Sequence, residues 1–317
     1  MLLLIQDLAA SHTPADEISI FEDVEAISAS LKALGHQPSV ERISLNLEDA
    51  RRRILLHQPD LVMNLVDSIE LKGHLIHLAP ALLETMKLPY TGCRMDATYL
   101  SSHKLLAKHL LQLEGLPTAP WHEASALPDE LDDRYIVKSV WEHASIGIAP
   151  ENVVHNVSIA KKIIAERTAQ YGGEWFIERY IHGREFNISI LDGAVLPHAE
   201  IRFEDFPEDV PHIIDHAAKW DENCFSYQHT VRHFDFPESD RALLTKLSEY
   251  CLKCWSIFNL SGYARVDFRV DVQGNPWILE VNSNPCISPD AGLAAAAERA
   301  GMDYTALIAR IVDAALP

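Results

Sequence analysis

The sequence contains 317 residues, of which 48% are hydrophobic and 23% are charged, and its formal net charge is −19 at pH 7. A chain of this length predicts more than one domain, and no stretch approaches the roughly 20 consecutive apolar residues that a membrane-spanning helix needs. Nucleic acids are bound by neutralising their phosphates with lysine and arginine, so the negative charge argues against a nucleic-acid partner.

Strand-like and helix-like patterns alternate over the first ninety or so residues. Residues 2–5 predict a buried strand, residues 18–34 a helix, and residues 60–66 a second buried strand. A helical pattern over residues 73–86 follows. This alternation predicts a small parallel α/β domain over residues 1–95.

The remainder of the chain has a different pattern, with more short strands. A helix is predicted over residues 101–113 and a strand over residues 135–138. Short strand-like segments become frequent after residue 175, and Asp192-Gly193 between two of them predicts a tight hairpin turn. We therefore expect antiparallel sheet here, in a central domain over residues 96–183 and a C-terminal domain over residues 184–317.

The spacing of the cysteines and histidines does not favour metal or redox sites. Five irregularly spaced cysteines predict a reducing cytoplasm rather than a disulfide framework. Cys251 and Cys254 fall on a predicted helix over residues 243–258, and packing against a core is the preferred interpretation. The connection over residues 203–236 holds histidines without a compact ligand spacing, so solvated or substrate-facing roles are preferred over zinc binding. They are His212, His216, His229 and His233.

Two predicted hairpin strands near the C-terminus carry polar side chains in alternation. One contains Arg265 and Asp267, and the other contains Glu280 and Asn282. Side chains alternate along a strand, so these four groups converge if the register aligns the two faces. Two carboxylates and an amide oxygen suit magnesium bound together with nucleotide phosphates. Taken alone, a solvent-facing hairpin explains the pattern equally well.

These residues resemble the ATP-grasp ligases, most closely the D-alanine:D-alanine ligases. The resemblance rests on Glu280-Val281-Asn282 with Asn284-Pro285, on the Arg265-x-Asp267 strand, and on ordered matches upstream. It spans roughly residues 60–317, and each short motif is weak alone. It implies an α/β (α+β) ATP-grasp fold, in which an N-terminal parallel α/β domain precedes two α+β subdomains that sandwich ATP. The upstream matches are Leu88-Pro89-Tyr90-Thr91-Gly92, Lys104, Val137-Lys138, residues 178–185 and residues 218–220.

The resemblance also implies a reaction and a role for each matching residue. ATP would phosphorylate a substrate carboxylate to give an acyl phosphate and ADP, and an amine would then displace phosphate from the acyl phosphate to form an amide. Mg²⁺, or Mn²⁺, would assist. The nucleotide would be held by Lys104 and Lys138, by Ser145 in a loop over the phosphates, and by Glu178, Ile181 and Glu185. The metal would be held by Asp267, Glu280 and Asn282. Arg265, and Lys219 in an active-site lid, would act on the reacting groups.

The substrate-binding positions depart from the family pattern. Residues 6–12 lack the glycine-rich turn with serine and glutamate that anchors the first substrate's ammonium in the family. Cys286 stands where the family has glycine, and Ala291 stands where a serine holds the second substrate's carboxylate. We therefore expect small-molecule substrates, namely an amino acid, peptide or other small carboxylate and an amine, but not two D-alanines.

Two other functions remain open at this stage. Changes at Cys286 and Ala291 would permit a ligase that modifies the terminus of a peptide or protein. An ATP-binding regulatory module without turnover is the second alternative, and the intact Arg265, Asp267, Glu280 and Asn282 set argues against it. Cys286 itself is predicted to pack as a small buried residue rather than to act as a reactive thiol. A homodimer is a further expectation.

Overall fold

The structure is a computed structural model that describes residues 1–7, 14–142, 145–207, 209–215, 218 and 223–316, with the backbone alone at residues 14–19 and 21. Three sheets organise these described residues, and they follow one another along the chain. Helices accompany each of the sheets. The mixed α/β architecture confirms the predicted fold class, while the domain boundaries at residues 95 and 183 stay predictions.

A parallel sheet forms the N-terminal part of the described chain. Its elements are β1 (Leu2–Gln6), α1 (Pro14–Ala33), β2 (Ser39–Ile43), α2 (Leu47–His57), β3 (Val62–Asn64) and α3 (Leu78–Met86). The strands are parallel, as the alternating pattern predicted, and their order is β2-β1-β3. The sequence analysis did not identify β2 and α2, because the half-exposed Ser-Val-Glu-Arg-Ile of β2 has no apolar run.

A four-stranded antiparallel sheet with the order β4-β7-β5-β6 follows. The helix predicted over residues 101–113 is in fact two helices that meet at His103, where the Nδ1 atom accepts from the Leu106 N–H at 3.3 Å. The elements are α4 (Met95–Ser102), α5 (Lys104–Leu113), β4 (Trp121–Glu123), β5 (Tyr135–Ser139), β6 (Val153–Val154), α6 (Val157–Tyr171) and β7 (Trp175–Arg179).

The C-terminal sheet has the order β11-β10-β8-β12-β13, and β9 pairs with β8. The predicted hairpin turn is confirmed, since Asp192 and Gly193 both have positive φ angles of 51° and 74°. The elements are β8 (Gly183–Leu191), β9 (Ala194–Val195), β10 (Ala199–Phe203), α7 (Phe225–Gln228), β11 (Thr230–His233), α8 (Arg241–Ile257), β12 (Tyr263–Asp271), β13 (Pro276–Asn282), α9 (Gly292–Arg299) and α10 (Tyr304–Asp313).

The core under this sheet determines which side chains face the site. Along β12, Ala264, Val266 and Phe268 are fully buried in a cluster that includes Cys251 and Cys254 of α8. Burial raises the pKa of the Cys254 thiol to about 12, which favours the protonated form expected of a packed cysteine. The alternate residues of β12 therefore face the opposite side. Within the described chain no helix has the length and apolar character to cross a bilayer.

Candidate active site

The register of β12 and β13 brings the four predicted polar side chains together. Arg265 is opposite Asn282, and Asp267 is opposite Glu280. The pairing shifts by a bulge immediately after Asp267, and one-to-one pairing resumes with Phe268 opposite Ile278. Sequence analysis left the convergence conditional on register, and the structure provides that register.

Arg265 and Asp267 form a bidentate ion pair beside the carboxylate of Glu280. The Nε and Nη2 atoms of Arg265 donate to the two Asp267 oxygens at 2.7 and 2.8 Å. Burial opposes the charge on Arg265, but the interaction with Asp267 outweighs it and raises the pKa of the guanidinium. Arg265 therefore stays charged while holding Asp267 in a fixed orientation.

The donor atoms at this end of the hairpin fit a hard divalent cation. Asp267 and Glu280 supply carboxylate oxygens, and the Oδ1 atom of Asn282 is oriented by the Asn284 N–H at 2.9 Å. No cluster of three His, Cys, Asp or Glu side chains suited to a metal occurs among the described residues, so a site here depends on the amide of Asn282. An oxygen-only set of this kind matches Mg²⁺ and Mn²⁺.

Lys104 begins α5 and contacts Glu142, at the start of the loop that contains Ser145 and is predicted to cover the phosphates. We call this loop the phosphate loop. The Nζ atom of Lys104 donates to the Glu142 carbonyl at 2.6 Å. Burial lowers the pKa of the Lys104 ammonium, while the charge of Glu280 partly counteracts this. Lys104 thus lies between the metal-binding candidates and the loop. The Glu142 carboxylate in turn accepts from the Gly73 N–H at 3.2 Å, which ties the loop to the N-terminal part of the chain.

Glu178 lies between two lysines, one of which the sequence analysis missed. Lys138 Nζ approaches one of its carboxylate oxygens at 3.0 Å, and Lys108 Nζ approaches the other at 2.7 Å. Burial opposes ionisation of Glu178, but the two ammonium groups outweigh it and lower its pKa. Lys108 lies on the buried face of α5, one turn after Lys104. A lysine in an otherwise apolar stripe was the available signal.

Three further residues are predicted to bind the nucleotide, and each has different contacts. They are Ser145, Ile181 and Glu185. The Ser145 hydroxyl donates to the Ile214 carbonyl at 2.7 Å. Ile181 is buried in the connection between β7 and β8. Glu185 pairs with Arg269, a residue that the sequence analysis did not consider, at 2.7 Å. Lys219, predicted to act from the lid, lies outside the described residues.

A second set of polar side chains, Asn284 and Asp67, lies beyond the end of β13. Asn284 donates to the Val66 carbonyl at 3.0 Å and to the Asp67 carboxylate at 3.2 Å. Surrounding protein and the charge of Asp23 raise the pKa of Asp67 to about 7, although solvent reaches its side chain. Asp7, at the end of β1, lies on the surface with its carboxylate 3.9 Å from the Arg42 guanidinium.

Arg232 of β11 lies at the start of α9. Its guanidinium is 3.7 Å from the position that a Cβ atom would take at Gly292. The helix begins after Ala291, which makes no side-chain capping hydrogen bond. Burial and repulsion by Arg265 lower the pKa of Arg232, whereas Asp290 opposes this shift. The Arg232 guanidinium therefore lies within electrostatic range of Arg265, at a helix end that itself favours anions.

Comparison with known proteins identifies the family. Residues 112–313 match the family model described as D-ala D-ala ligase C-terminus. The D-alanine–D-alanine ligase of Gloeobacter violaceus is 30% identical to this chain, over 98% of each protein. The one from Synechococcus sp. is 31% identical, over 98% of this chain and 92% of that ligase. This chain belongs to the D-alanine:D-alanine ligase family.

Solved structures agree on the fold. The D-alanine–D-alanine ligase of Bacillus anthracis, in a crystal structure described as complexed with ATP, superposes with a TM-score of 0.75 and 22% identity. That match covers 99% of this chain and 96% of that one. The ligase from Coxiella burnetii gives a TM-score of 0.68 over 99% and 93% of the two chains, with 18% identity. The chain is therefore an ATP-grasp carbon–nitrogen ligase that forms ADP, which confirms the predicted fold and enzyme class.

The prediction for Cys286 in this ligase was wrong. Cys286 was expected to be buried, but the structure places it among the exposed residues. Its neighbours Pro285 and Ile287 face the interior, which leaves Cys286 directed outward. Nearby protein nevertheless raises the pKa of its thiol to about 11, and its Sγ atom lies 2.8 Å from the Ser288 hydroxyl. The thiol is therefore protonated at neutral pH and is a poor nucleophile.

Proposed function

We propose that this ATP-grasp ligase activates a small carboxylate as an acyl phosphate and joins it to an amine, with substrates other than two D-alanines. The observation that carries the proposal is the register that places Arg265, Asp267, Glu280 and Asn282 at one end of a hairpin, with Lys104 in electrostatic range. Positioning and charge neutralisation are the main contributions that a protein makes to phosphoryl transfer.

Each charged group has a role in this scheme. Asp267, Glu280 and Asn282 would hold Mg²⁺ or Mn²⁺, which supplies Lewis-acid stabilisation to phosphoryl oxygens when it is bound. Lys104 and Lys138 would neutralise the phosphates, and Ser145 would contact them from the covering loop. Lys108 compensates Glu178, so the charge of Lys138 remains directed at the nucleotide.

The nucleotide base and the reacting groups involve other residues. Glu178 and the backbone at Ile181 would address adenine, and Glu185 would bind the ribose hydroxyls. Arg265, fixed by Asp267, would stabilise negative charge at the transferring phosphoryl group and then at the tetrahedral intermediate. Lys219 would assist at the same reacting atoms.

The substrate side supports an amino-acid-like acceptor that differs from D-alanine. The region beside α9 has Ala291 in place of the family's serine and contains the guanidinium of Arg232. Arg265 and Arg232 together suit a carboxylate, since guanidinium groups bind carboxylates through paired hydrogen bonds. Asp67 lies on the opposite side of Asn284 and suits an ammonium group. The relatives are named D-alanine–D-alanine ligases, so D-alanine is the reference substrate against which this proposal is tested.

A turnover screen tests the proposal. The protein is incubated with ATP and Mg²⁺ and with D-alanine alone, pooled D- and L-amino acids, or short peptides, while ADP release and product mass are measured. We expect substrate-dependent ADP with a product other than D-alanyl-D-alanine, and its loss in Glu280→Ala. D-alanyl-D-alanine as the preferred product would overturn the substrate proposal. ATP binding without stimulated turnover by any pool would instead favour a regulatory module. A sedimentation measurement on the same preparation tests the expected homodimer.

A further inference from the structure

Arg269 is a buried cation in the nucleotide half of the site, and the scheme above gives it no role. It lies on β12 directly opposite Glu185 on β8. The Nη2 atom is 2.7 Å from a Glu185 carboxylate oxygen, and the two side chains are only 4% and 9% exposed. An ion pair this well shielded from water holds its partners in one geometry, because separating them would leave an uncompensated buried charge.

The rest of the guanidinium is held by backbone and aromatic groups. It donates to the Gly183 carbonyl at 3.2 Å and to the His212 carbonyl. Its carbon lies 5.3 Å from the ring centre of Phe203 and 5.9 Å from that of Tyr180. Arginine alone among the cationic side chains combines a planar fork of donors with aromatic stacking, so this environment is specific for it.

The segment that contains His212 also contacts both ends of the nucleotide site. The His212 N–H donates to the Tyr180 hydroxyl at 2.9 Å, next to the expected adenine contact at Ile181. Two residues later, the Ile214 carbonyl accepts from the Ser145 hydroxyl of the phosphate loop at 2.7 Å. A continuous set of contacts therefore runs from Glu185 through Arg269 and His212 to Ser145.

We propose that Arg269 is a positioning residue that couples ribose recognition by Glu185 to docking of the phosphate loop through residues 212–214. The inference rests on the proposed function, because it takes ATP as the nucleotide and Glu185 as the ribose ligand. Arg269 fixes the orientation of the Glu185 carboxylate, the group proposed to bind the ribose hydroxyls. The same guanidinium holds His212, so binding at the ribose and docking at Ser145 favour each other, as linkage requires.

The test compares ATP with 2′-deoxy-ATP and 3′-deoxy-ATP in direct binding measurements. Wild-type protein is expected to bind ATP about 10- to 100-fold more tightly than the deoxy analogue whose hydroxyl contacts Glu185, the range for hydrogen bonds to charged groups. Glu185→Gln and Arg269→Met are both expected to lose most of this discrimination. The double variant Arg269→Met/Glu185→Gln should lose no more than either single variant, because one interaction is removed in all three.

Two further variants separate positioning from a general structural role. Tyr180→Phe removes the hydroxyl that accepts from the His212 N–H but leaves the Glu185 pair intact, so the coupling predicts weaker ATP binding and a partial loss of the ribose discrimination. Arg52→Met removes a guanidinium that is 70% exposed and should change neither property. The double variant also removes both buried charges, which keeps the test available if Arg269→Met alone fails to fold.

Hydrogen exchange of a peptide covering residues 145–152 measures docking of the phosphate loop. We expect faster exchange in Arg269→Met and in Tyr180→Phe than in wild type. The inference is overturned if folded Arg269→Met keeps the ribose discrimination, if wild type shows none, or if exchange at the loop is unchanged. Absence of ATP binding in wild type would overturn the proposed function itself, so the two failures are distinguishable.

Discussion

Lys108 and Glu178 form an ion pair in the interior, with 2.7 Å between their charged atoms and side chains only 2% and 1% exposed. Lys108 also donates to the Thr118 hydroxyl at 2.7 Å and to the Ala119 carbonyl at 3.0 Å. The Lys108 ammonium thus has three oxygen neighbours within 3.0 Å. Because Lys138 contacts the other oxygen of Glu178, two lysine side chains share one carboxylate.

Replacing Lys108 with methionine should destabilise the fold. The change leaves Glu178 buried with only Lys138 as its partner and removes the donors to Thr118 and Ala119. Loss of one member of a buried ion pair costs about 3 kcal/mol or more, and the remaining Lys138 contact places the expected loss near that lower value. Urea denaturation measures the free energy of unfolding. Lys108→Met/Glu178→Gln should recover part of the loss, whereas exposed Lys253→Met should stay within about 0.5 kcal/mol of wild type.

Replacing Glu280 with alanine should abolish most turnover without unfolding the protein. It removes one of two carboxylates at the metal-binding candidates, and deletion of a group that stabilises transition-state charge lowers kcat by about 10²- to 10³-fold. The measurement is ADP release as a function of Mg²⁺ concentration, with substrates from the turnover screen. Glu249→Ala on the exposed face of α8 is the matched control. A Glu280→Ala protein with normal magnesium dependence would contradict the assignment.

Replacing Gly73 with alanine should displace the phosphate loop. A Cβ atom there would lie 2.8 Å from the Trp141 carbonyl oxygen and 3.0 Å from a Glu142 carboxylate oxygen, so the backbone of the loop must move. We expect a several-fold increase in KM for ATP and a smaller increase for Glu142→Gln, which weakens the Gly73 hydrogen bond without a clash. Initial rates at varied ATP measure both effects. Equal KM values in wild type and Gly73→Ala would show that the loop position does not depend on this contact.

Asp67 should make stability depend on pH between acid and neutral conditions. Its folded-state pKa of about 7 lies above the ordinary aspartate value of 3.8, so its stabilising contribution is complete below about 3.8 and is lost as pH rises through 7. Asp67→Asn removes this loss. The Tm of the variant relative to wild type should therefore be higher at pH 8 than at pH 5.

Thermal unfolding followed across this pH range measures the difference. Asp60→Asn, at an exposed position, should give an offset from wild type that does not vary with pH. A parallel pair of curves for Asp67→Asn and wild type would show that Asp67 does not titrate in this interval. Asp23, whose own pKa is raised to about 6 by burial and by Asp290 and Glu22, is the second acid to replace if a residual slope remains.

The sequence by itself determined the features that depend on residues close together along the chain. Alternation along β12 and β13 predicted that Arg265 and Asp267 share one face and that Glu280 and Asn282 share another. The Asp192-Gly193 turn and the parallel N-terminal sheet followed from equally local signals, because strand alternation and turn chemistry depend on neighbouring residues. Ordered family motifs then indicated the ATP-grasp fold and the ligase class.

Only the tertiary structure decided which distant residues meet. The pairing of Glu185 with Arg269 depends on the register between β8 and β12, and that of Lys108 with Glu178 on the packing of α5 against β7. Neither pairing leaves a local pattern, since each side chain alone is read as a charged residue on an amphipathic element. Burial makes the difference: a charge removed from water requires a partner, and only the folded chain shows which partner is within reach.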